Sequence, residues 1–91
     1  MILTTTSAIE GRPVKDYLGI VSGECVLTGG FFDSLGDVED RLLDARYRAL
    51  SKLQQRAEAL GANAVVGISL DLEVQQAVRF LQVTGTAVVI P

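Results

Sequence analysis

The chain has 91 residues, 48% of them apolar, with eight basic against eleven acidic side chains and a net charge of −3. That balance, with no basic cluster, argues against a nucleic-acid or anionic-membrane surface, and no apolar run nears the roughly 20 residues of a membrane span. The single cysteine excludes an intramolecular disulfide, and MILTTTSAIEGR lacks the charged and apolar regions of a secretory leader, so a reducing cytoplasm is the expected setting.

One domain over residues 1–91 is expected, small enough that further copies would help it bury a core. With three Phe, two Tyr and no Trp, that core must be aliphatic, which suits layered α/β packing. The N-terminal ILTTT is β-prone but too short to hold itself. Tyr17 to Leu27 sets Gly19, Val21, Gly23, Cys25 and Leu27 against Ile20, Ser22, Glu24 and Val26, the alternation of a strand. Gly29 and Gly30 followed by Phe31 and Phe32 lack the lysine and spacing of a phosphate loop. They read as a connection whose two phenylalanines either staple the helix entry or dock on a neighbouring subunit.

From Asp37 to Leu60, apolar residues recur at steps of three and four, among them Leu42, Ala45, Ala49, Leu53 and Ala57, so an amphipathic helix is predicted. Asp37 and Asp40 resemble a capping box at its start, and Gly61 is placed to take the left-handed conformation at its end. Asn63 reads as a turn residue. From Ala64 to Val74 the even positions Ala64, Val66, Ile68, Leu70, Leu72 and Val74 are apolar and are predicted to face the helix. The odd side carries Val65, Gly67, Ser69, Asp71 and Glu73, and Gly67 is expected to admit a close neighbour there. The final run RFLQVTGTAVVIP alternates Leu81, Val83, Ala87 and Val89 with Gln82, Thr84 and Thr86.

The order strand, strand, helix, strand, strand predicts an α+β fold: an antiparallel-rich sheet of three to four strands with one long helix packed on one face. Such a sheet is wider than a single helix covers, and its far face is expected to show Ile20, Val26, Val65, Phe80 and Val88. The edges of ILTTT and VTGTAVVI are expected to close against neighbouring chains, with Phe80 at that contact.

No histidine, no nucleophile beside a base and no zinc-type Cys or His cluster is present, so no catalytic residue and no cofactor is expected. Cys25 lies on the apolar side of its strand and reads as a small hydrophobe, with a reactive or ligating thiol as the alternative. Glu24, Asp71 and Glu73 could share the sheet face away from the helix as an acidic cluster. Glu39 and Arg46 stand seven residues apart on one side of the helix and could pair directly or across subunits. Carboxylates repeated around a symmetry axis could hold a hard cation.

LGANAVVGISLDLE, the helix pattern VEDRLLDAR, the early GIVSGECVL and the late VTGTAVVI together resemble the YbjQ-like family, which carries a heavy-metal-binding label. The resemblance implies a dodecin-like subunit assembled into a ring, typically a pentamer, with the short N-terminal strand aiding assembly. Glu24 matches the family's Gly-Glu pair, Glu39, Leu42, Ala45 and Arg46 its helix start, and Asp71 and Glu73 the acidic end of its third strand. Val38 stands where tyrosine is usual, Ser34 and Leu35 where Arg-Ser is usual, and Asn63 and Ser69 where aspartates are frequent. The implied function is a non-enzymatic ring that serves as a scaffold or binds a small ligand. The alternative is a heavy-metal or divalent-cation binder that uses acids gathered by symmetry.

Overall fold

The computed structural model of the chain describes residues 1–27, 35–76 and 78–91. Its elements are β1 (Ile2–Leu3), β2 (Asp16–Leu27), α1 (Leu35–Ala59), β3 (Ala64–Gln75) and β4 (Val78–Val89). One four-stranded sheet has the order β1-β3-β4-β2. The β1 to β3 pairing is parallel, and both pairings of β4 are antiparallel. The expected α+β architecture, with one helix on one face of the sheet, is present. No helix of the described residues is long and apolar enough to cross a membrane.

α1 begins at Leu35, ahead of the expected Asp37, so Asp37 belongs to the first turn and is not the residue before it. Its far end follows the expectation: Gly61 has φ +88°, its N–H donates to Glu58 O at 2.9 Å, and the Ala62 N–H donates to Ala57 O at 3.1 Å. This pair of bonds occupies the Glu58 and Ala57 carbonyls of the last turn, the Ala57 oxygen also accepting from the Leu60 N–H at 3.0 Å. Ala62 then packs on the core and sends the chain into β3.

The core between α1 and the sheet joins Ala49, Leu53 and Ala57 to Val21, Val65, Ile68, Val83 and Ala87. Alanine at three of the four buried positions 45, 49, 53 and 57 leaves little side chain between helix and sheet. Gly23 goes further: a Cβ there would lie 2.8 Å from the Leu53 backbone nitrogen and closer still to the Ala49 carbonyl oxygen. The helix backbone therefore rests directly on β2. Its contacts fall mainly on β2, fewer on β4 and fewest on β3. A second cluster, Ala64, Val66, Val88 and Ile90, lies on the opposite face, with Ile2, Ile9 and Val14 packed against it.

Several expectations are corrected by β3. Ala64 and Val66 face away from the helix, and it is Val65 that packs beneath it. The reason is a bulge: the pairing with β4 shifts register between Val66 and Ser69, and Gly67 sits there at φ +64°. One extra residue reverses every later side chain, so the even positions face the helix side only from Ile68 onward. A Cβ on Gly67 would meet nothing within 4 Å. Its glycine answers a backbone angle and not a close neighbour.

The far face also differs from expectation. Val65 belongs to the helix side, and Val88 is fully buried in the second cluster, whereas Ile20 is 84% exposed and Val26 57%. VTGTAVVI lies in β4, which is paired on both sides, and so offers no edge. One side of ILTTT is used within the chain, where the Thr4 N–H donates to Val65 O, the Ile68 N–H to Thr4 O and the Gly67 N–H to Thr6 O, at 3.0, 3.0 and 2.7 Å, and β1 is itself an edge strand of the sheet.

Candidate functional site

Glu24 is the sequence-expected site residue with the most definite partner. The Arg56 guanidinium donates to both of its carboxylate oxygens, at 3.0 and 2.9 Å, and also to Ser22 O at 2.8 Å. Lys52 Nζ donates to the Glu24 carbonyl oxygen at 2.8 Å. Arg56 hydrogen bonding holds the Glu24 carboxyl below its ordinary range, against a small desolvation and with help from the charges of Arg56 and Lys52. The same pair raises the Arg56 guanidinium above its usual value. A fork of two N–H donors on one carboxylate fixes orientation as well as charge.

These cations were not foreseen as partners of Glu24, although their spacing carries the signal. Arg48, Lys52 and Arg56 recur every four residues, each directly before a buried residue of the stripe Ala49, Leu53 and Ala57. Such spacing lines one flank of a helix. Lys52 and Arg56 tie that flank to β2, and Arg48 pairs with Asp44 at 2.9 Å. Because β2 is an edge strand, the two bonded carbonyls are ones that another strand would otherwise use.

The expected acids are spread over the sheet. In register, Glu24 pairs with Gln82 and Gln82 with Asp71, so β4 stands between the two carboxylates. The neighbouring row is Val26, Phe80 and Glu73, and Ser69 hydrogen-bonds Thr84 across β3 and β4 at 3.0 Å. Asp71 and Glu73 are exposed, Phe80 is half-buried, and Glu24 is turned to Arg56. Glu39 and Arg46 are exposed on α1, roughly 10 Å apart along its axis. Among the described residues no group of three or more His, Cys, Asp or Glu side chains could hold a metal ion. Phe31 and Phe32 lie outside the described residues.

Cys25 is half-buried and packs against the core under α1, in line with a structural thiol. Cys25 also borders a cavity of about 250 Å³ lined by Val26, Leu27, Arg41, Asp44, Ala45 and Arg48.

A family profile described as "Putative heavy-metal-binding", YbjQ, matches residues 1–91. The chain belongs to the YbjQ family. A solved structure of a protein of unknown function in the DUF74 family, from Pediococcus pentosaceus, is 25% identical, and the match covers 99% of this chain and 95% of that one at a TM-score of 0.49. For this YbjQ member, the family match agrees with the resemblance carried by LGANAVVGISLDLE and the helix start.

Proposed function

We propose that this YbjQ-family chain is the subunit of a closed homo-oligomeric ring, a pentamer of dodecin-like subunits, acting without catalysis as a scaffold or small-ligand binder. One observation carries the reading. Leu70, Leu72 and Val74 follow Ile68 on the helix side of β3, yet they are 38%, 55% and 62% exposed because α1 lies over β2. A contiguous apolar strip of that kind marks an interaction surface more often than free solvent contact. Tyr47 and Leu43 on α1, and Ile20 and Val26 on β2, are exposed as well. In this reading Phe31, Phe32 and Phe80 are interface anchors, and Glu24, Glu39, Arg46, Asp71 and Glu73 are the side chains available to a ligand between subunits.

Light scattering on the purified chain at micromolar concentration tests the reading. The expected mass is about five times that of the 9.7 kDa chain. A stable mass at the single-chain value would remove it.

A second reading rests on the family description: a divalent cation held by carboxylates that ring symmetry brings together, Asp71 and Glu73 foremost. Calorimetric titration with hard and soft divalent cations separates the two. Saturable heat that disappears in Asp71→Asn/Glu73→Gln favours the cation, and absence of heat with every ion leaves the scaffold.

A further inference from the structure

A long sheet edge is a place where another strand can add. Along β2 the carbonyls of Ser22 and Glu24 are taken by Arg56 and Lys52. The outer edge of β3 is covered by the N-terminal segment only as far as Ile68, and from Ser69 to Gln75 no strand among the described residues pairs with it. This open stretch carries the exposed Leu70, Leu72 and Val74 on the helix side, and Ser69, Asp71, Glu73 and Gln75 on the other face. Neither Asp71 nor Glu73 has an ion pair among the described residues, and their register partners on β4, Gln82 and Phe80, are uncharged.

Apart from charge, the β3 edge of a second copy suits this edge well. Two such edges pair antiparallel about a two-fold axis, and residues directly opposite one another must project from the same face. Centred on Leu72, the pairing sets Leu72 against Leu72 and Leu70 against Val74, apolar pairs that stabilise a ladder. The same register sets Asp71 against Glu73 twice. Centring on Asp71 or on Glu73 sets two identical carboxylates opposite each other. Registers further along lose overlap, because Thr4 and Thr6 already hold Ile68 and Gly67 and the chain turns at Gln76. With α1 seated over β2, no helix stands in the way, so like charge is what opposes the contact.

We propose that Asp71 and Glu73 bar the open edge of β3 from pairing with the β3 edge of a second copy. The two long edges are then guarded by different means, β2 by side chains that occupy its carbonyls and β3 by charge. This goes beyond the ring reading and does not depend on it. A contact between identical strands is isologous and yields pairs, whereas a ring needs two different patches that repeat from copy to copy. Paired β3 edges would therefore divert single chains into dimers, or join one ring to the next.

Light scattering on Asp71→Asn/Glu73→Gln tests the barrier, at neutral pH, low salt and with EDTA present so that no cation bridges the acids. Both positions are exposed, and circular dichroism reports whether the fold is kept. The variant is expected to reach at least twice the wild-type mass, at a concentration roughly tenfold below any at which the wild type does so. Hydrogen exchange at residues 69–75 is expected to slow in the associated species. Asp71→Lys/Glu73→Lys gives a second arm: alone it should keep the wild-type mass, because lysines then oppose lysines, and mixed one to one with the wild type it should pair. A folded neutral variant that keeps the wild-type mass would overturn the proposal. So would added mass without slower exchange at residues 69–75, or a folded lysine variant that fails to pair with the wild type. A monomeric wild type whose neutral variant pairs would remove the ring and leave this proposal standing.

Discussion

Asn63 closes a two-bond ring with the backbone of Ile90: its Nδ2 donates to the Ile90 carbonyl oxygen at 2.7 Å, and the Ile90 N–H donates to its Oδ1 at 2.8 Å. Its own N–H donates to Val88 O at 3.1 Å, and the Ile2 N–H donates to its carbonyl oxygen at 3.4 Å. The corner after α1 is thereby tied to the end of β4 and the start of β1. An aspartate at this position could accept from the Ile90 N–H but could not donate to the carbonyl.

Asn63→Ala should therefore cost about 1–3 kcal/mol by removing both bonds. Asn63→Asp should cost at least as much at neutral pH, because a carboxylate oxygen would face the Ile90 carbonyl. Urea unfolding of the three proteins gives the comparison, and an Asp variant as stable as wild type would mean the amide donor contributes nothing.

Gly23→Ala should be among the most damaging single-methyl additions in the chain. The new Cβ would press on the helix backbone at Ala49 and Leu53, which cannot rotate away as a side chain can. A loss of about 2 kcal/mol or more is expected. Gly67→Ala offers the contrast, with open space around it and only the positive φ to oppose, for about 1 kcal/mol. Thermal unfolding of both variants checks the order, and a larger loss at Gly67 would refute it.

Glu24 should give an acid-side dependence of stability. Arg56 lowers its folded pKa below the ordinary 4.5, so the unfolded chain takes up its proton first as pH falls. The contribution is complete above about pH 4.5 and is lost as pH drops through the lowered folded value. The effect is small, since the two side chains remain 48% and 44% exposed. Denaturant midpoints of wild type and Glu24→Gln from pH 7 to pH 2 should differ at neutral pH and converge in acid. A gap that stays constant to pH 2 would contradict the pairing.

Leu70→Asp separates folding from assembly. From sequence, this position is a core residue whose loss would stop folding, but the chain leaves it 38% exposed. The variant should keep its circular dichroism, lose no more than about 1 kcal/mol of subunit stability, and form a smaller assembly. A Leu53→Ala control, at a fully buried site, should cost about 2–5 kcal/mol. Equal losses at the two positions would show that Leu70 is core after all.

Much of the candidate site was legible residue by residue and not as an arrangement. Glu24, Asp71 and Glu73 were identifiable as acids on the strand faces away from the helix, because period-two alternation assigns faces. That β4 would part Glu24 from Asp71 was not identifiable, since alternation within a strand says nothing about which strand lies beside it. The partnership of Glu24 with Arg56 joins residues 32 apart in sequence and exists only once α1 lies over β2.

The amino-acid pattern by itself determined the elements: the helix from its three-and-four periodicity, its stop at Gly61, and three long strands from alternation, all of which depend on neighbours within a few residues. Tertiary structure decided strand order, the face reversal at Gly67 and the seating of α1 over β2. Each of these depends on where backbone meets backbone. Gly23 carries no periodic signal of its own, and only the approach of Ala49 and Leu53 shows why no side chain fits there. That approach draws the helix toward one margin, and the exposed Leu70, Leu72 and Val74 are its consequence at the other.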